Sequence, residues 1–211
     1  MEAAFQLEIG DAGLATLTFD LPGKKANVFT REVLAELEAL LAELRGRSEI
    51  SILVLASAKP DIFIAGADVD QIASVTDPEI AEGGSRLGQR LFSAWEGLPF
   101  PTLAAIRGTC LGGGTELALA SSWIAVSDRK DLRIGLPEIR LGIVPGWGGC
   151  TRMPRRIGLL ASLDLILTGK TVDGARALRT GLAVALLPEA TFAARVREFA
   201  LSRIGRGRSS G

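Results

Sequence analysis

The chain has 211 residues, 47% of them apolar, and its 24 Lys+Arg balance 24 Asp+Glu. This is an ordinary globular composition, long enough for one sizeable core or two small ones, with no basic excess for nucleic acid and no acidic tail. Histidine and tyrosine are absent, which excludes His-based triads, His-ligated zinc or haem, and a phenolic acid. Acid–base chemistry is left to carboxylates, Lys or Cys.

Phe5, Leu7 and Ile9 alternate with polar neighbours, as do the residues from Leu14 to Phe19. With Gly10-Asp11-Ala12-Gly13 between them, they predict a β-hairpin. From Thr30 to Arg45 the stripe Val33, Leu34, Leu37, Leu40, Leu41 and Leu44 predicts a helix, N-capped by Thr30 and stopped at Gly46. The run from Ile50 to Ala56 reads as a buried strand. After a turn at Lys59-Pro60-Asp61, the polar stretch from Ser74 to Gly84 reads as mobile surface, and Ser85 to Trp95 as helix. Pro99 and Pro101 lead into a strand from Thr102 to Ile106. A short helix from Glu116 to Ala120 and a strand from Ile124 to Ser127 follow. Further helices are expected near Gly148 to Ile157, Ser162 to Thr168, Asp173 to Thr180, and from Glu189 to about Ile204. Strand–helix units repeat from residue 50 to residue 130, which is an α/β pattern.

Residues 1–185 read as one core. Residues 186–211 read as the start of a helical region and a disordered tail, with the basic run from Arg195 to Arg208 solvated. Cys110 and Cys150 have no CxxC spacing and read as buried free thiols of a reducing compartment. No apolar run approaches the ~18 residues of a membrane span, and the N-terminus lacks a signal peptide's basic region and apolar core. A cytoplasmic protein is expected, with no membrane, nucleic acid or metal among its partners.

The chemistry is densest from Arg107 onward. Leu111-Gly112-Gly113-Gly114-Thr115-Glu116 joins a strand to a helix. Glycines let backbone approach a ligand, and free N–H groups at a helix start favour negative charge, such as that on a thioester oxygen. A tight turn alone would use the same residues. The triplet is not a dinucleotide fingerprint, since Leu117 stands where its last glycine belongs. Gly169-Lys170-Thr171 is no P-loop either, because Asp164 replaces the first glycine. Glu116 precedes Leu117-Ala118-Leu119-Ala120, and Glu138 stands in Gly135-Leu136-Pro137-Glu138 before Pro145-Gly146-Trp147-Gly148-Gly149. Two carboxylates in one apolar pocket could hold different protonation states, one acid and one base. Equally, Glu116 could complement a helix dipole at the surface and Glu138 could pair with Arg140 or Arg152.

GTCLGGGTELALA, IGLPEIRLGIVPGWGGCTRMPRRIG and LTGKTVDGARALRTGLA resemble, in order, the signature blocks of the enoyl-CoA hydratase (crotonase) family. Upstream, FIAGADVDQI resembles its oxyanion block and LPGKKANVF its coenzyme A entry block. The likeness covers roughly residues 5 to 200. The 22-position spacing of the glutamates and the PGWGG wording resemble the hydratase part of bifunctional fatty-acid oxidation proteins.

The resemblance implies an α/β crotonase-like ββα spiral, two roughly perpendicular sheets ringed by helices. It also implies hydration of a 2-enoyl-CoA thioester in fatty-acid β-oxidation, with coenzyme A as part of the substrate and no separate cofactor. The N–H groups of Ala67 and Gly113 would hold the thioester oxygen. Glu116 would activate water, and Glu138 would share that water and protonate the α-carbon. Gly146 would lie against the acyl thioester, and Lys25 and Ala26 near the nucleotide end. Ala65 and Asp68 complete the substrate-contact set, Asp68 as a brace of its loop rather than a base. A homotrimer or dimer of trimers is implied, together with C-terminal helices that this sequence stops short of and whose absence would weaken the assembly. A Δ3-Δ2-enoyl-CoA isomerase needs only one carboxylate, and retention of Glu116 argues against it. Thioester hydrolysis, or an acyl-CoA-binding fragment without turnover, are the remaining alternatives.

Overall fold

A computed structural model describes residues 3–205. The expected hairpin forms from β1 (Phe5–Ile9) and β2 (Leu14–Phe19), antiparallel, with Phe5 opposite Phe19. The helix α1 (Arg31–Leu44) follows, and the Thr30 side chain accepts from the Val33 N–H as its cap. The chain continues through β3 (Ile52–Ser57), β4 (Ile62–Ile64), α2 (Val69–Ala73), α3 (Pro78–Glu96), β5 (Thr102–Ile106), β6 (Thr109–Leu111) and α4 (Gly113–Leu119). Then come β7 (Trp123–Ser127), β8 (Ile134–Gly135), a 3-10 turn (Glu138–Leu141), α5 (Gly149–Ile157) and α6 (Leu159–Thr168). The described chain closes with β9 (Thr171–Val172), α7 (Gly174–Arg179), β10 (Ala185–Leu187) and α8 (Phe192–Leu201). The boundary read at 185 thus falls inside β10. The tail read at the end of the chain lies, beyond Gly205, outside the described residues.

The strand pairs β3–β4, β5–β6 and β7–β8 each send their first member to one sheet and their second to another. The six-stranded sheet has the order β1-β2-β3-β5-β7-β10, and the four-stranded sheet β4-β6-β8-β9. This alternation makes the ββα spiral of two sheets ringed by helices that the resemblance implied. Within the larger sheet β3, β5 and β7 are parallel, so helices must cover both faces. Alternate residues divide accordingly. Leu53, Leu55, Ala104, Ile106, Ile124 and Val126 join the main core, while Ile52, Val54, Leu103, Ala105, Trp123 and Ala125 meet Phe192, Val196 and Ala200 of α8.

Three expectations need correction. The segment from Ser74 to Gly84 is exposed, but from Pro78 onward it is helix: α3 starts there, capped by the Asp77 side chain on the Glu79 N–H, with Pro78 in the first turn. Because no face of this half is buried, it carries no apolar stripe to read. The helix expected from Glu116 begins three residues earlier, at Gly113. Cys110 is buried, but Cys150 is exposed. Among the described residues, no helix is long and apolar enough to cross a membrane.

Asn27 ties the strand ends together. It is fully buried, its Oδ1 accepts from the Leu21 N–H at 2.8 Å, and its Nδ2 donates to the Phe19 carbonyl at 2.8 Å and Ser57 Oγ at 2.9 Å. Asn27→Leu is expected to destabilise the fold by roughly 1–3 kcal/mol for each group left unpaired. Urea denaturation checks this, and an unchanged midpoint would contradict it.

Candidate active site

Each glycine of the triplet has its own neighbour. Gly112 takes φ +53°, and a Cβ there would stand 3.2 Å from Glu138 Oε1. A Cβ at Gly113 would be 2.5 Å from the Trp147 indole, and one at Gly114 2.5 Å from the Ile64 carbonyl oxygen. The start of α4 is therefore pressed against β4, the Trp147 ring and the Glu138 carboxylate at once. Thr115 secures it, its hydroxyl lying 2.9 Å from the Cys110 carbonyl and 2.8 Å from that of Gly135.

Glu116, in the first turn of α4, is 2% exposed. Its Oε1 accepts from the N–H groups of Trp147 and Gly149, both at 2.8 Å. Burial raises its pKa, while those N–H groups and Arg152 oppose the rise. Glu138, in the 3-10 turn after β8, is 9% exposed, and its Oε2 is buried with no partner. Burial pushes its pKa up to about 7, with the Glu116 charge adding to the effect. The two carboxylates therefore share one environment but differ in support. Neither alternative drawn from the sequence, a surface Glu116 or an Arg-paired Glu138, is what forms.

Segment 27–29 runs beside segment 65–68. The Phe29 N–H donates to the Gly66 carbonyl at 2.9 Å and the Asp68 N–H to the Phe29 carbonyl at 3.1 Å, a parallel bridge between Phe29 and Ala67. In such a bridge Phe29 uses the flanking groups of its partner, so the Ala67 N–H points to the opposite side. That side belongs to β6 and the start of α4, because β4 pairs with β6. An ideal Cβ at Gly66 would lie 3.5 Å from the Gly113 nitrogen. Gly113 is the first residue of α4, where N–H groups lack intrahelical acceptors. The geometry brings these two donors to neighbouring positions at the carboxylate pair.

A family model described as enoyl-CoA hydratase/isomerase matches residues 10–205. The chain belongs to the enoyl-CoA hydratase/isomerase family. It is 46% identical over 189 residues to a fatty acid oxidation complex subunit alpha of Vibrio vulnificus, covering 89% of this chain and 27% of that relative. A subunit of the same name from Vibrio parahaemolyticus is 40% identical over 210 residues, 100% of this chain and 29% of the relative. The chain thus spans under a third of these relatives. The crystal structure of an enoyl-CoA hydratase from Bacillus anthracis superposes with a TM-score of 0.89 at 28% identity, over 98% of this chain and 78% of that one.

The other positions singled out from the family likeness lie on or beside the segments that carry Ala67 and Trp147. The Ala65 N–H donates to the Asn27 carbonyl at 2.8 Å, which brings Ala26 alongside and the exposed Lys25 just beyond. Asp68 caps α2, accepting from the N–H groups of Asp70 at 3.0 Å and Gln71 at 3.1 Å. Gly146 accepts at its carbonyl from Gln89 Nε2 at 2.8 Å. Three residues of this family member have roles here that the sequence did not state, although Arg152 was weighed as a partner of Glu138. Asn27 holds the 65–68 segment in place. Trp147 supplies one N–H to Glu116 and packs edge-on against Phe29 and Phe92. Arg152 spans the Trp147 carbonyl and Glu96. Trp147 had a signal in the sequence, an aromatic residue between glycines.

Proposed function

We propose that this chain is a 2-enoyl-CoA hydratase of fatty-acid β-oxidation, adding water across the 2,3 double bond of an acyl-CoA thioester. The observation that carries the reading is the unequal support of two buried carboxylates. Glu116, held by two N–H groups, is the base that takes a proton from water. The resulting hydroxyl attacks C3. The electron pair passes to the thioester oxygen, held by the N–H groups of Ala67 and Gly113, which need to lie ~2.7–3.1 Å from it. Glu138, with a pKa of about 7, delivers the proton to C2. Exchange with water resets both groups. Ala26, Lys25, Ala65, Asp68 and Gly146 contact the coenzyme A and acyl portions. The test is loss of the enoyl-thioester absorbance of crotonyl-CoA. Double-bond migration without hydration would favour the isomerase reading instead.

Self-association belongs to the same proposal, as a homotrimer or a pair of trimers. Leu159, Leu160 and Leu167 on α6 are 62%, 84% and 63% exposed. A contiguous apolar row of this kind supports contact with a second copy. Sedimentation should show an assembly that Leu160→Glu shifts toward monomer. Equal masses for the two proteins would refute that role for α6.

A further inference from the structure

The loop from Pro145 to Gly149 carries both N–H groups that hold Glu116. That loop is itself gripped by one side of α3. Ser85, Gly88, Gln89, Ser93 and Glu96 recur along α3 at close to helical spacing and share a face. Gly146 backs onto Ser85, where a Cβ on the glycine would stand 3.3 Å from the Ser85 hydroxyl. Gln89 Nε2 donates to the Gly146 carbonyl at 2.8 Å. Further along, Arg152 donates through Nη1 to the Trp147 carbonyl at 3.1 Å and through Nη2 to Ser93 Oγ at 3.2 Å and Glu96 Oε2 at 2.9 Å. Between these ties the Trp147 indole passes Gly88 so closely that a Cβ there would stand 2.2 Å from its Cδ1.

Glycine weakens a helix interior, and the backbone at Gly88 has no positive φ to require it. The indole is what requires it. Phe29 and Phe92 stand against the same ring, their centroids 5.7 and 5.5 Å away. A ring so confined cannot yield to a new methyl group without moving its own backbone.

We infer that Gly88 is a positioning residue for Glu116: its missing side chain seats the Trp147 indole, and that seating aims the Trp147 and Gly149 N–H groups at the carboxylate. The kinetic part of this inference rests on the hydratase reading, while its spectroscopic part does not. The charged and titratable groups bearing on Glu116 are Glu138 from the 3-10 turn, and Cys150 and Arg152 from α5. None of them is removed by a change at Gly88, and Arg152, which donates to the Trp147 carbonyl, moves with that backbone.

The test compares Gly88→Ala, Trp147→Leu and the double variant. Each is followed by kcat and KM for crotonyl-CoA, the pH profile, and the infrared carboxyl band that disappears in Glu116→Gln. Gly88→Ala should lower kcat about 10²-fold with KM little changed. Loss of the N–H bonds should move the acid limb and the infrared midpoint of Glu116 upward. In the Trp147→Leu background the same alanine should add almost nothing, because the ring it displaces is gone. Additive losses, or an unmoved midpoint in Gly88→Ala, would overturn the inference. If wild-type protein fails to hydrate crotonyl-CoA, the hydratase reading falls and the infrared midpoint decides the matter alone. If Gly88→Ala does not fold, Gln89→Leu at an exposed position should raise the midpoint by a smaller amount, and an unmoved value there would overturn the inference.

Discussion

Glu116→Gln and Glu138→Gln are each expected to keep the fold and to lower crotonyl-CoA hydration by about 10²–10⁴-fold. The two losses have different causes. At position 116 an amide oxygen can still accept from the N–H groups of Trp147 and Gly149, so the local geometry survives. What disappears is the capacity to take a proton from water. At position 138 the unpartnered Oε2 becomes part of an amide that cannot deliver a proton. Because the groups act on one water and one substrate, the double variant should be little worse than the poorer single variant. Steady-state rates, with circular dichroism as the control for folding, check all three proteins. Near-normal turnover in either single variant would show that its carboxylate is not a proton carrier in the reaction.

Stability is expected to fall as pH rises from about 5 to about 8, with Glu138 contributing at most about 3 kcal/mol. Glu138 titrates near 7 in the folded chain, against 4.5 when unperturbed. Below the lower value both folded and unfolded states hold the proton, and no charge is buried. Between the two values only the folded state retains it. Above the upper value both states are ionised, and the folded state alone carries a buried charge without a partner. Glu116 is shifted in the same direction and adds to the slope. The carboxylates lowered by salt bridges or capping bonds, such as Asp131 and Glu49, release their protons below this window and do not oppose it. Urea denaturation at a series of pH values should show the decline, and Glu138→Gln should flatten it. An equal slope in the variant would show that another group carries the effect. The site is thus maintained at the expense of stability at the pH where it would work.

Much of this molecule was legible from local pattern. The stripe from Val33 to Leu44, the alternation in β2 and the apolar run of β5 each state their own burial, because the residues that pack lie at the period of the element that carries them, whereas in β1 only Phe5 is buried and Ile9 is exposed. The family blocks pointed to Glu116 and Glu138, and to Ala67 and Gly113 as the proposed oxyanion donors. The four-stranded sheet was not legible, because its strands are two or three residues long and exist only through partners far away in the sequence, such as Cys110 beside Ile64 and Ile134. Neither was the first half of α3, whose helical start rests on Asp77 and Pro78 rather than on any buried face. Tertiary structure alone decided that Glu116 and Glu138 meet, and which of them receives the two N–H bonds. It also assigned each glycine of the triplet a separate obstacle: the Glu138 carboxylate, the Trp147 ring and the Ile64 carbonyl. Periodicity records which face of an element leaves water, whereas a pKa or a backbone approach depends on atoms that arrive from other turns of the spiral.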